Sequence, residues 1–173
     1  MKKYLLLGIG ILFFFGILFP QNSSVQNHPV TFQISKGFGK VNGYFKEVDY
    51  SIQLHTANPK LSGNATVSSI ETNNDKRDRD LQKKEWFDAT NHPKIVVEST
   101  SVEKTSENHY TGTFNITIKG ITQIKKISFQ TNNDYFKANF QLNINDFDLG
   151  SGVMKMLIGK EVSVTLHIPM AGK

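Results

Sequence analysis

From residue 30 onward, apolar and polar positions alternate, and the alternation returns again and again down the chain. "VTFQIS" sets Val30, Phe32 and Ile34 on one parity, and "SIQLH" does the same with Ile52 and Leu54. "NATVSSI" gives Ala65 and Val67 with a change of phase before Ile70, and "KIVVEST" gives Ile95 and Val97. "TFNITIKG" carries Phe114, Ile116 and Ile118, and "YFKANFQLNIN" carries Phe136, Ala138, Phe140, Leu142 and Ile144. "EVSVTLHI" closes the series with Val162, Val164, Leu166 and Ile168. A period of two is that of a half-buried β-strand, with one face apolar and the other turned to water. The intervening Gln, Asn, Lys, Thr and Ser suit that wet face.

Turn-forming stretches separate the runs: "NPKLSGN", "KTSENHY", "KGIT" and "TNND". The spacing predicts eight strands, at about 30–36, 43–56, 63–71, 94–103, 109–119, 122–132, 135–146 and 161–170. Short links make neighbours antiparallel. An apolar face on every strand, with no long amphipathic helix to cover it, predicts an all-β sheet closed on itself, because closure removes the exposed edges. A two-sheet sandwich is the competing architecture, but its strands usually run to about five or six residues. Several of these reach ten or more.

One segment breaks the pattern. Residues 71–88, between the third and fourth strands, hold eleven charged residues in eighteen. Asn74 or Asp75 suits a helix N-cap, and "DKRDRDLQKKEWF" then predicts about three helical turns within 73–88. Leu81, Trp86 and Phe87 would plug one end of the barrel while the charges face water.

Composition narrows the function. The chain has 173 residues, enough for one domain with a real core. Its start, "MKKYLLLGIGILFFFGILFP", has two lysines before an apolar run and then "QNSS". This predicts a cleaved signal peptide over 1–24, a barrel domain over 25–173 and a periplasmic or secreted location. An uncleaved anchor is the rival, although the run is shorter than the roughly 20 residues of a usual spanning helix. With no cysteine there is no lipidated Cys, thiol nucleophile or disulfide, so stability rests on packing. Without Lys2 and Lys3 the net charge of +5 falls to +3, with both signs interspersed, which argues against nucleic acid as a partner. The histidines His28, His55, His92, His109 and His167 form no H-x-x-x-H spacing, and no G-x-S-x-G elbow occurs. The expectation is no metal, no cofactor and no catalytic residue. An enzyme acting on a lipid would need a histidine and a carboxylate brought together inside the barrel.

The stretch "SSIETNNDKRDRDLQKKEWFDATNHPKIVVEST" resembles the signature of the YceI-like family. The matching positions are Ser69, Ile70, Glu71, Thr72, Arg77, Asp78, Leu81, Trp86, Phe87, Asp88, Pro93, Ile95, Ser99 and Thr100. "VNGYF", "TGTFNITIKGIT" (with Thr117, Lys119, Gly120 and Thr122) and "NDFDLGSG" (with Asp148 and Gly150) resemble three further pieces of it, in order, over about residues 30–170. The resemblance implies a lipocalin-like eight-stranded antiparallel barrel, exported, holding a long isoprenoid, an isoprenoid quinone or a similar apolar lipid. Lys36 stands where the family often has a histidine, Leu149 where it has Phe, and Asp146 where a basic residue is frequent. These departures bear on the head group rather than the fold. Membrane contact for lipid exchange and a homodimer both remain open.

Alternation by itself does not separate a filled core from a hollow one, since a barrel of eight strands is wide enough for either. The resemblance implies the hollow one. Lumen candidates are then Phe32, Ile34, Phe45, Ile52, Leu54 and Val67 from the first three strands. Ile95, Val97, Phe114, Ile116 and Ile118 follow, and then Phe140, Leu142, Ile144, Val164 and Leu166. Arg77, Asp78, Leu81, Trp86 and Phe87, with Met154 and Leu157 from the apolar connection "SGVMKMLIGKE", are candidates for the cap and mouth. Arg77 and Asp78 either touch a polar head group or tie the helix to its neighbours. At about 0.8 kcal/mol per buried methylene, each five-carbon unit of a prenyl chain contributes on the order of 3–4 kcal/mol before ordering losses. Such a lumen selects for length more than for detail. If Phe32, Phe114 and Phe140 met at the axis, the barrel would be filled, and a structural or partner-binding role would replace carriage.

Overall fold

The computed structural model describes residues 28–132, 134–152, 155 and 157–170. The proposed signal peptide and Met154 lie outside them. The described strands are β1 (Val30–Lys36), β2 (Gly39–Phe45), β3 (Val48–Gln53), β4 (Lys60–Thr66) and β5 (Ile70–Glu71). After helix α1 (Asp75–Leu81) come β6 (Lys94–Ser106), β7 (His109–Ile118), β8 (Ile121–Thr131), β9 (Tyr135–Asn143) and β10 (Ile158–Pro169). All pair antiparallel in one curled sheet, in the order β3-β4-β6-β7-β8-β9-β10-β1-β2-β5.

The ten segments are eight runs of chain. β2 and β3 are one run bent at Lys46–Glu47, and β4 and β5 are one run bent at the 3-10 turn Val67–Ser69. The two runs stay joined across the bend: Lys46 N–H donates to Ser69 O (3.1 Å), Glu47 N–H to Ser69 Oγ (3.1 Å) and Thr66 N–H to Glu47 O (3.0 Å). Ser69 Oγ in turn donates to Thr66 O at 2.7 Å, so the same hydroxyl serves a backbone N–H of one run and a carbonyl of the other. Both ends of the strand order therefore belong to the same two runs, and the sheet closes through them. The family-like eight-stranded barrel is the observed architecture, with two of its strands kinked.

The 3-10 turn also explains the change of phase in the sequence. It adds a tight turn between Ala65 and Ile70, both inward and buried, and carries Val67 into the wall itself. The charged segment is shorter as a helix than its composition suggests. Asn74 caps it by accepting from Arg77 N–H at 2.9 Å, but the helix ends at Leu81. Trp86 N–H then bonds Lys83 O, Phe87 N–H bonds Leu81 O, and Asp88 turns the chain with φ of +51°. Two further ends shift. β9 stops at Asn143, where a 3-10 turn, Ile144–Phe147, takes over, and β10 begins at Ile158, inside the apolar connection.

Candidate functional site

The inward faces of the strands do not meet. Between them lies a cavity of about 810 Å³, inside the range of roughly 300–1,000 Å³ usual for small-molecule sites. At the level of β1 and β2 the ring of Phe32 lies flat on Gly43, its cross-strand partner; a Cβ at Gly43 would come within 2.3 Å of Phe32 Cζ. The missing side chain is what lets the ring lie along the wall. Phe114 uses Gly112 the same way and meets Phe129 edge-on at 6.4 Å. Neither ring reaches across the axis. Phe140 stands on another wall, opposite Val164 of β10.

The closed end is built from aromatics. Tyr110 stacks on Phe129 at 5.4 Å, and Phe129 packs against Phe136 at 4.8 Å. Ile127, Ala138 and Ile168 complete this floor, all buried. The other end is roofed by α1 and the turns after it. Gly150, with φ of +79°, lies under the Trp86 indole, where a Cβ would sit 2.8 Å from the ring, and its N–H donates to Glu85 O at 2.8 Å. Lys119 Nζ donates to Asp148 O at 2.8 Å, tying the β7–β8 hairpin to the same roof. Asp148 itself takes φ of +49° at the end of the 3-10 turn, and its N–H donates to Asn145 O at 3.2 Å.

Of the lumen candidates, Phe32, Ile34, Phe45, Ile52, Ile95, Val97, Phe114, Ile116, Ile118, Phe140, Leu142, Ile144, Val164 and Leu166 line the cavity. Leu54 and Val67 do not. Leu54 lies past the end of β3 and packs into the floor, and Val67 is buried in the 3-10 turn. Alternation nominated both, but it fails at a strand end and at a turn. Among the cap candidates, Arg77, Leu81, Trp86 and Phe87 line the cavity and Asp78 does not. Leu157 is exposed at the rim rather than folded over the mouth.

Arg77 and Asp78 converge on one side chain. Thr72 Oγ1 accepts from Arg77 Nε at 2.7 Å and donates to Asp78 Oδ1, and Arg77 Nη2 donates to Thr72 O at 2.7 Å. This pins α1 to the strand before it and leaves buried Asp78 with a partner, as a buried charge requires. Beside it, Lys46 Nζ meets Glu71 Oε2 at 2.6 Å. The bond to Lys46 holds the Glu71 carboxyl below its ordinary range, and the same bond raises Lys46.

Several lining residues stand outside the lumen candidates. Val30, Val162, Phe136, Ala138 and Ile168 share the parity of the named ones and could have been taken with them. Ile70, Phe147, Leu149 and Ile158 enter through turns and bulges, for which alternation gives no signal. At the open rim the lining turns polar, with Lys36, Asn143, Ser151 and, from the α1 side, Lys76, Asp80 and Lys83. Asp80 and Lys83 pair at 2.6 Å, which lowers the carboxyl and raises the amine. Among the described residues the lining contains no histidine. His92 packs on Gly120, His109 Nδ1 lies 2.8 Å from Glu107 O, His28 stacks on Tyr44, and His167 packs at a tilt on Tyr135.

The family model described as YceI-like domain matches residues 18–170. A "UPF0312 protein" of Pseudomonas savastanoi is 28% identical over 153 residues, 80% of each chain. Another, from Yersinia enterocolitica, is 29% identical over 126 residues, 65% of each. The fold is similar to that of Burkholderia cenocepacia BcnA, with a TM-score of 0.73 at 20% identity over 80% of this chain and 92% of that one. It is also similar to a polyisoprenoid binding domain from Saccharophagus degradans, with a TM-score of 0.62 at 12% identity over 80% and 90%.

Proposed function

The chain belongs to the YceI-like family, and on that premise we propose that it is an exported carrier holding one long isoprenoid, isoprenoid quinone or similar lipid in its lumen without a covalent bond. One observation carries the reading: the axis between Phe32, Phe114 and Phe140 is an unfilled cavity of about 810 Å³, walled by Phe, Ile, Leu and Val. An apolar chain filling a cavity of that size gains contact with its lining atoms and removes apolar surface from water. The polyisoprenoid binding of a structural neighbour supports the same ligand class. The lysine-bearing open end is where a polar head would stay wet, while the aromatic floor sets how far the chain penetrates. A cleaved signal over 1–24, with the barrel as the mature domain, supplies the export.

Mass spectrometry of an organic extract tests this, on protein purified from its own host without detergent. The expected result is a prenyl lipid or quinone near one per chain. Protein that arrives empty, and takes up no added prenyl lipid of any length, would overturn the reading.

A further inference from the structure

The rim of the cavity carries the most exposed apolar side chain among the described residues. Phe38, 114% exposed, sits at the tip of the two-residue turn between β1 and β2. Gly37 holds the first central position with φ of +56°, as a tight hairpin turn needs, and so thrusts the phenylalanine outward. Gly37 N–H donates to Leu157 O at 3.2 Å, which brings a second exposed apolar residue, Leu157, alongside. A solitary exposed hydrophobe needs no explanation, but a pair on two adjoining segments forms a patch.

Charge says what the patch faces. "SKGFGK" (35–40) and "LIGK" (157–160) contain Lys36, Lys40 and Lys160 and no acidic residue. All three lysines are exposed. On β8, Ile124 is likewise exposed beside Lys125 and Lys126, but it stands there without a second exposed apolar partner, whereas this tip joins two. Apolar tips inside a ring of lysines fit the interface of an anionic bilayer, where the ring enters the acyl boundary and the amines meet the headgroups. The position matters as much as the composition. Lys36 and Ile158 line the cavity and pair with each other in the β1–β10 ladder, two residues from Phe38 and one from Leu157 respectively.

We propose that the Phe38–Leu157 tip, with Lys36, Lys40 and Lys160, is a membrane-docking surface that sets the open end of the cavity against an anionic lipid bilayer. Docking stands on the rim alone, and only its use in passing cargo rests on the carrier reading. The outer wall of β8 offers an internal control, since Ile124 is 73% exposed there and lies off the rim.

The test is cosedimentation of the whole protein with phosphatidylglycerol–phosphatidylcholine vesicles, at low and high salt. Wild-type protein is expected to bind, and to bind less as salt rises. Phe38→Ser with Leu157→Ser is expected to weaken binding at least about tenfold, the scale of losing a buried aromatic and a leucine from the interface. Lys40→Glu with Lys160→Glu should weaken it also, and should remove most of the salt dependence. Ile124→Ser should bind as wild type does. Lipid content, measured by extraction of the same preparations, reads the carrier function separately, so an empty protein that still docks sinks only the carrier reading. Wild-type protein that ignores anionic vesicles, or a Phe38/Leu157 variant that binds unchanged, overturns the proposal. So does a self-association of wild type in the absence of vesicles that the Phe38 variant abolishes, because the patch would then be an interface between copies.

Discussion

Along β9, two pairs of inward residues stand on the same parity and meet different fates. Phe136 and Ala138 are 4% and 3% exposed, while Phe140 and Leu142 are half-buried. The binary pattern does not distinguish them. What differs is the volume opposite. Phe136 meets Phe129, which Tyr110 and Phe114 support from β7, so four aromatic rings fill the cross-section. Phe140 and Leu142 pair with Val164 and Val162, and Val162 with Ile34, side chains too short to span the barrel. The Phe32 ring, beside Val164, is laid against the wall by Gly43. One barrel is thus a packed core at one end and a container at the other.

Mutations can break that comparison. The largest effect is expected at the floor. Phe129→Ala removes the ring that three others touch and should cost about 3–5 kcal/mol in chemical denaturation. Phe140→Ala, the same change facing a void, should cost no more than about 2 kcal/mol, because the ring has fewer partners to lose, and should instead lower prenyl-lipid retention. Equal stability losses would mean that the two ends are packed alike. Enlarging a side chain should sharpen the contrast. Ala138→Leu overfills the floor and is expected to destabilise by about 1–3 kcal/mol. Val164→Phe grows into free space, so its melting temperature should hold while the lipid recovered per chain falls.

The smallest effect belongs to the exposed pair beside the roof. Lys46 lowers the Glu71 pKa, so the folded state binds that proton less readily than the unfolded chain does. The stability this supplies is present above the ordinary glutamate range and is lost as pH falls through the depressed value. Lys46 is raised, so its share is present below the ordinary lysine range and lost at more alkaline pH. Screening by solvent keeps the sum small. Glu71→Gln should therefore flatten the acid limb of a melting-temperature profile slightly and leave the floor variants' losses unchanged. A large shift would show that the roof, rather than the floor, dominates stability.

Most of the strand set was legible because alternation is local: each run reports its own inward parity without reference to any other. The errors lie where backbone geometry intervenes. Val67 was misplaced because the 3-10 turn at Val67–Ser69 resets the parity, and Leu54 because β3 ends one residue before it. The helix was drawn too long because eleven charges without Gly or Pro read as helix, while the chain turns at Asp88 with positive φ. Arg77 and Asp78 were visible as a pair, but their common partner Thr72 was not, since its hydroxyl competes with any number of polar groups in the sequence. Phe38 gave no signal at all, because an exposed aromatic differs from a core one only in what surrounds it.

The sequence by itself determined an antiparallel all-β barrel, its inward residues and a charged cap between the third and fourth runs, because period, turn chemistry and capping act within a few residues. Only the tertiary structure decided that the barrel is hollow above an aromatic floor. That depends on side-chain volumes summed across the axis from strands distant in the chain, such as Phe32 beside Val164, and on a register that puts Gly43 under Phe32. No local pattern carries that sum.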